Sequence, residues 1–291
     1  MKTTEEIVVG YDGSDQAIPA IQWAARQAVL RGCPLHVVYS TLWPAFTRDM
    51  GPVPGVEGSG LRHAAEDILA DGVSRIHQEG PGLAVKTTLF YGWPAEHLRE
   101  LSAVAGLLVV GTRGAGGFMG LLIGSVSLEL AATADCPVAV IRSGGEPEGR
   151  VVVGVDFGEW ELPLRYACDL ATLTGVPLRA VHVRKRHGIP RLTPGSTPSQ
   201  DTVGAEVQAL LDSVGRAAVD LAPDLELDKR SPVGGSVPGS LLAEAQDASI
   251  IVVGTKGHGI VRGSIGSTAH AILHHARCPV LLVRGHDSQL K

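Results

Sequence analysis

Ile7-Val8-Val9-Gly10-Tyr11-Asp12 returns 144 positions later as Val151-Val152-Val153-Gly154-Val155-Asp156. Both runs are short, β-branched and apolar on both sides of the pleat. That pattern belongs to a strand buried on both faces, as in a parallel sheet covered by helices on each side. Three more islands repeat in the same order: Leu35-His36-Val37 with Val181-His182-Val183, Val109-Val110-Gly111-Thr112-Arg113-Gly114 with Val252-Val253-Gly254-Thr255-Lys256-Gly257, and the segment from Cys136 to Arg142 with that from Cys278 to Arg284. Four islands at nearly constant spacing identify a tandem duplication.

The 291 residues then divide into domain 1 (1–143), a turn-rich linker (144–149) and domain 2 (150–291). Each half is long enough to bury about two thirds of its unfolded surface. With 44% hydrophobic and 19% charged residues the chain reads as globular. A net charge of −5 and no basic cluster beyond Arg184-Lys185-Arg186-His187 argue against a nucleic-acid partner. No apolar run approaches the ~18 residues that span a bilayer. The opening residues carry no secretory pattern, so a cytoplasmic location is expected. Cys33, Cys136, Cys168 and Cys278 show no CxxC spacing, which points away from a metal cluster or disulfide framework.

Within each copy, apolar runs alternate with helical stretches. In the first copy, strands are expected at 7–11, 35–40, 83–90, 107–111 and 137–141. Helices are expected from a cap at Ser14 or Asp15 to Leu30, with Gly32 as the stop, and at 59–79, 94–104 and 124–134. This βα alternation predicts an α/β fold, a five-stranded parallel sheet in the order 3-2-1-4-5 with helices on both faces. The long connections 41–57 and 184–199 read as flaps over a site.

The fourth strand runs into Gly111-Thr112-Arg113-Gly114 and on to Gly124-Ser125-Val126-Ser127. Backbone that must approach a phosphate closely needs residues without Cβ. The unpaired N–H groups of a helix start then supply donors with partial positive charge. Arg113 could neutralise charge from the loop side. In a doubly wound sheet the ligand crevice lies where strand order reverses, here between strands 1 and 4. Asp12 ends strand 1, so its carboxylate should meet the glycine loop, where it suits a ribose hydroxyl or Mg²⁺. The competing readings are a plain strand-to-helix turn for the glycines and an Asx turn for Asp12. No GxxxxGK[ST] loop occurs, and no GxGxxG follows the first strand.

The spacing Gly-x₂-Gly-x₉-Gly-Ser after strand 4, the Val-x-Gly-x-Asp-Gly-Ser opening from Val8 to Ser14, Leu35-His36-Val37, the Gly92-to-Glu96 segment and the closing Cys-Pro-Val together resemble the universal stress protein family, most closely its tandem members. The resemblance spans both halves. It implies two flavodoxin-like (Rossmann-like) domains, ATP as ligand, and a role in stress response or growth control. Carried over, Asp12 would contact ribose or Mg²⁺ and Val37 the adenine, while Gly111, Gly114, Gly124, Ser125, Val126 and Ser127 would hold ribose and phosphates. The second set would be Asp156, Val183, Gly254, Gly257, Gly266, Ser267 and Thr268, with Lys256, His258 and Arg262 adding positive charge. That copy departs from the pattern: eight residues instead of nine separate Gly257 from Gly266, Ala269 stands where Ser127 stands, and Phe157 follows Asp156. The family also pairs domains through the last strand, which implies an internal pseudo-dimer of the two halves and allows a further homodimer.

Nothing in the sequence pairs a general base with a partner at useful spacing. His274 and His275 are adjacent and cannot share a ligand, His36 and His182 read as structural, and Gly13-Ser14-Asp15 is no nucleophile elbow. A regulatory ATP-binding protein is therefore expected, with ATP hydrolysis very slow at most. The alternatives are an adenylating or phosphoryl-transfer enzyme of the same wider fold, and a nucleotide-free interaction scaffold.

Overall fold

The computed structural model describes residues 6–42, 59–114, 122–142, 148–185, 200–255 and 264–284. The chain divides into two compact units, Met1–Ser143 and Gly144–Lys291. In unit 1, β1 (Ile7–Gly10) pairs in parallel with β2 (Leu35–Thr41) and β4 (Leu107–Gly111), β2 with β3 (Val85–Tyr91), and β4 with β5 (Val138–Ile141). The order is therefore 3-2-1-4-5. Unit 2 repeats it with β6 (Arg150–Gly154) flanked by β7 (Leu178–Val181) and β11 (Ala248–Gly254), outside which lie β9 (Leu227–Arg230) and β12 (Val280–Val283). Ile7 to Val9 and Val151 to Val153 are almost completely buried, as the first islands of the sequence require.

Helices cover both faces of each sheet. In unit 1, α1 (Ile18–Arg31) and α2 (Ser59–Glu79) lie together on one face, and α3 (Pro94–Ser102) and α4 (Ser125–Thr133) on the other. In unit 2 the corresponding pairs are α5 (Glu161–Thr174) with α6 (Gln200–Leu221), and α7 (Val237–Glu244) with α8 (Ser267–His275). Helix α1 sits close to its sheet because its buried stripe is mostly small: Ala20, Ala24, Ala25 and Ala28 beside Ile21. It ends at Gly32, whose φ of 61° is left-handed and free of strain only without Cβ. Its start differs from expectation. Neither Ser14 nor Asp15 caps it; the cap position is Ala17, without a side-chain bond, and Pro19 fills the first turn. A turn closed by Ala17 N–H donating to Ser14 O (2.9 Å) intervenes, because the Ser14 hydroxyl is engaged elsewhere.

The strand register corrects one alignment between the copies. Ile7 faces Leu35, and its counterpart Val151 faces Leu178. Residue 36 therefore corresponds to Arg179 and Val37 to Ala180, while His182 corresponds to Tyr39. The string Leu-His-Val had matched by composition three residues out of step, and residues 184–185 also differ from the expected flap. They form a short strand, β8 (Arg184–Lys185), paired in parallel with β10 (Val233–Gly234). In unit 1 the β2–β3 ladder is continuous through Thr41↔Tyr91. In unit 2 Pro232 interrupts it, since proline has no N–H to donate; its carbonyl still accepts from Arg184 N–H at 2.9 Å.

At the amino ends of the strands two corresponding positions exchange the sign of their charge. Unit 1 places Glu6, His36 and Lys86 there. Burial and Lys86 push the His36 imidazole below its ordinary value, and its Nε2 is bonded to Thr88 Oγ1 at 2.8 Å. Unit 2 places Arg150, Arg179 and Asp228 there. Arg179, its side chain 12% exposed, meets Asp228 at 3.0 Å and Glu244 at 3.4 Å. Burial raises the Asp228 carboxyl, but the hydrogen bonds from Arg230 and Arg179 outweigh it and hold it below the ordinary value. A depressed carboxyl stabilises the fold fully above its unfolded value and loses that contribution as pH falls through the folded one. Arg179→Ala should cost about 2 kcal/mol at neutral pH, read by urea denaturation, and the gap from wild type should narrow on acidification below about pH 4. A gap independent of pH would show that Asp228 takes no part.

Candidate functional site

The carboxyl ends of β1, β2 and β4 lie together, as parallel order dictates. Gly13 leaves β1 with φ of 76°, and a Cβ there would lie 3.3 Å from Ile68 of α2. This turn lets Asp12 Oδ1 accept from Ser14 N–H (3.1 Å) and from Ser14 Oγ–H (2.6 Å), an Asx turn. The other carboxylate oxygen, Oδ2, lies where a Cβ on Gly114 would be. Strand 1's acid and strand 4's loop thus meet, as the crossover rule requires, and the Asx turn and the convergence coexist.

The glycines do different work. A Cβ on Gly111 would come within 2.6 Å of Gln16 O, so that residue is small because the backbone after β1 crosses the end of β4. Gly124 is the extended N-cap of α4; its N–H donates to Thr112 O at 2.7 Å and its carbonyl accepts from Leu128 N–H at 3.2 Å. The helix start is thereby tied to the end of β4, and the first-turn amides of Ser125, Val126 and Ser127 have no acceptor within the helix. Ser127 is buried and its hydroxyl donates to Gly111 O at 2.8 Å, so that hydroxyl is not offered to a ligand. Ser125 is exposed and Val126 and Arg113 are half-buried. Among the described residues Arg113 has no ion-pair partner. Val37 is completely buried in the sheet and has no surface to offer a base.

Unit 2 keeps the frame and changes the lining. Gly266 N–H donates to Thr255 O (2.8 Å) and Gly266 O accepts from His270 N–H (2.8 Å), the same closure as in unit 1. Ser267 and Thr268 open α8, and Ala269 is buried at the place of Ser127. Gly254 ends β11; Val183 is buried and, by register, corresponds to Ser40. Lys256, Gly257, His258 and Arg262 lie outside the described residues. With Phe157 in place of Gly13 no left-handed turn forms, and Asp156 Oδ1 accepts from Phe157 N–H at 2.9 Å instead. The Asp156 side chain is 79% exposed.

Three residues beside the acids are not apparent from motif reading. Tyr39 lies at the end of β2, its phenol pushed up by burial and by Asp12. His182 holds the same register position beside Asp156, with Nδ1 3.8 Å from Oδ1. Tyr11, adjoining Asp12, is buried, donates to Asp71 of α2, and has its phenol pushed up to about 12, chiefly by burial. Arg75 Nε in turn donates to Asp71 at 2.7 Å. Gly72 makes room for this anchor, its Cβ position 3.0 Å from the Tyr11 ring. The Gly72–Tyr11 complementarity was the only available cue, and it spans 61 residues of sequence. The four cysteines are free and buried, and burial raises the Cys168 thiol to about 11. Among the described residues no cluster suits a metal ion, and no helix is long and apolar enough to cross a membrane.

This division of labour separates two substitutions. Gly111→Ala should destabilise unit 1 by about 1–3 kcal/mol through backbone overpacking. Gly114→Ala should cost under about 1 kcal/mol, because the atom it meets is the end of the Asp12 side chain. Denaturant midpoints decide: equal losses would mean that the Gln16 contact does not constrain the loop.

Comparison with known proteins adds the following. The universal stress protein family matches residues 3–142 and again residues 149–284. A universal stress protein of Mycobacterium tuberculosis is 33% identical over 291 residues, covering 96% of both chains. One from Mycolicibacterium smegmatis is 33% identical over 294 residues, again covering 96% of each. Among solved structures, a universal stress protein from Archaeoglobus fulgidus aligns with a TM-score of 0.70 at 19% identity, over 96% of this chain and 98% of the other. At that identity the likeness shows the fold alone.

Proposed function

The chain belongs to the universal stress protein family in its tandem form, and we propose that it is a cytoplasmic ATP-binding regulator of stress response or growth rather than a catalyst. The observation that carries the reading is the meeting of Asp12 with Gly114, a carboxylate facing backbone without Cβ at the β1–β4 crossover. The α4 amides and Arg113, which has no ion-pair partner among the described residues, supply what a polyphosphate needs. Ser125 offers a further hydroxyl. Mg²⁺ accompanying the phosphates would take Asp12 as its protein oxygen, with Asp156 in the same role in unit 2. That ion would neutralise phosphate charge. In unit 2 the counterparts in this reading are Ser267, Thr268 and the α8 amides, with Asp156 at the end of the first strand.

Efficient hydrolysis needs a residue that positions water at the γ-phosphate, with cations arranged around it. In unit 1 the described lining offers Asp12, Tyr39, Ser14 and Ser125. Asp12 already accepts two hydrogen bonds from Ser14. Binding that alters the loops at the strand ends, and through them a protein partner, is the better use of such a site. The enzyme reading predicts steady-state ATP consumption; regulation predicts tight retention with turnover near background.

Purified protein should release an adenine nucleotide on denaturation, and titration calorimetry of the stripped chain should count two ATP per chain. Gly114→Ala, by displacing Asp12, should weaken ATP about tenfold or more at one of the two sites while the fold persists. Unchanged affinity at both sites in that variant would overturn this placement of the phosphate cradle.

A further inference from the structure

One helix grips the chain on both sides of Asp12. Ile68, Asp71, Gly72 and Arg75 fall at i, i+3, i+4 and i+7 along α2, a single stripe of its surface. Ile68 occupies the space beside Gly13, where a Cβ would lie 3.3 Å from it. Gly72 leaves room for the Tyr11 ring, and Asp71 accepts a hydrogen bond from the Tyr11 hydroxyl. Arg75 Nε donates to the same oxygen, Asp71 Oδ2, at 2.7 Å. The hydrogen bonds from Arg75 and then Tyr11 hold the Asp71 carboxyl below its ordinary value, so the phenol donates to a charged acceptor. Such a bond is about twice as strong as one between neutral groups. Residues 11 and 13 are both fixed by α2, which leaves Asp12 between them little freedom to turn.

Unit 2 is the same frame without the grip. Val155 replaces Tyr11 and Phe157 replaces Gly13, so neither the hydroxyl bond nor the left-handed turn forms. Its acid, Asp156, is 79% exposed and accepts from Phe157 N–H. Asp12 is half-buried, accepts twice from Ser14 and turns Oδ2 toward Gly114. The difference between the acids follows the difference in grip. We propose that Tyr11 is a positioning residue of the first nucleotide site: by donating to Asp71 it fastens the end of β1 to α2 and so aims the Asp12 carboxylate at the glycine loop. The inference rests on the nucleotide reading of unit 1 above and adds how its acid is held. It also makes the first site depend on the seating of α2 in a way the second does not.

Tyr11→Phe removes the hydroxyl and keeps the ring, and Asp71 keeps Arg75, so the fold should persist; the thermal midpoint checks this. Hydrogen exchange of the nucleotide-free full chain reads the acid directly. The Ser14 amide, which donates to Asp12 Oδ1, should exchange about tenfold faster in the variant, while the Gly124 amide, bonded to Thr112 O, stays unchanged. Asp71→Asn, which keeps an acceptor oxygen, should leave Ser14 exchange near wild type, and Asp71→Leu should match Tyr11→Phe. ATP should bind Tyr11→Phe about tenfold more weakly at the site that Gly114→Ala also weakens, and equally well at the other. In an Asp12→Ala background Tyr11→Phe should cost no further affinity, because no carboxylate remains to be aimed. A merely structural role would weaken ATP by the same factor in both backgrounds. Unchanged Ser14 exchange in Tyr11→Phe, or equal factors in the two backgrounds, overturns the proposal while leaving nucleotide binding in place. If the wild-type chain takes up no nucleotide, the reading of unit 1 as a nucleotide site fails, and Ser14 exchange still decides whether Tyr11 holds the acid.

Discussion

Parallel strands cannot be joined by a hairpin; each must be followed by a crossover that returns over one face of the sheet. That constraint governs this protein. It gathers every strand-to-helix loop at the carboxyl end of the sheet, and it makes strand order reverse between β1 and β4. Asp12 and Gly114 are 102 residues apart in sequence and meet because both leave the same end of neighbouring strands. The contact needs no special attraction between them. It follows from the pairing Ile7↔Leu107 to Val9↔Val109, held by residues that are almost wholly buried.

Within that frame the loops are closed by backbone rather than by side chains. Gly124 N–H to Thr112 O, and Gly266 N–H to Thr255 O in the second unit, tie a helix start to the strand before it at 2.7 and 2.8 Å. The tie leaves the first helical amides without partners in their own helix, the feature through which helix starts in general attract anions. It also explains why the second unit keeps the arrangement although its loop is one residue shorter and Ala269 replaces Ser127. The Ser127 hydroxyl contributes to Gly111 O and not to the closure itself.

The two copies show which parts of the architecture are free to drift. Buried strand positions remain β-branched in both. The ends of the strands diverge: Glu6, His36 and Lys86 against Arg150, Arg179 and Asp228 at one end, Tyr11, Gly13 and Tyr39 against Val155, Phe157 and His182 at the other. Each exchange is local and compensated. Tyr11 is matched by the missing side chain of Gly72 and by Asp71 and Arg75, and Arg179 by three acidic neighbours, Asp228, Glu244 and Asp247. One scaffold in this way carries two chemically different sets of strand ends in one chain.

The sequence by itself determined the duplication, the parallel α/β class, the order 3-2-1-4-5 and the convergence of Asp12 with the glycine loop, because periodicity, glycine placement and crossover topology are written in local residue patterns. Tertiary structure alone decided three other matters. It showed that Gly111 is small for the sake of Gln16 O and that Ser127 turns its hydroxyl inward, since close approach depends on atoms distant in sequence. It moved α1's cap to Ala17, because Ser14 is drawn to Asp12 instead. It also placed His182, not Val183, beside the second acid: matching Leu-His-Val by composition slips three residues, whereas hydrogen-bonded register admits only one pairing of Val151 with Leu178.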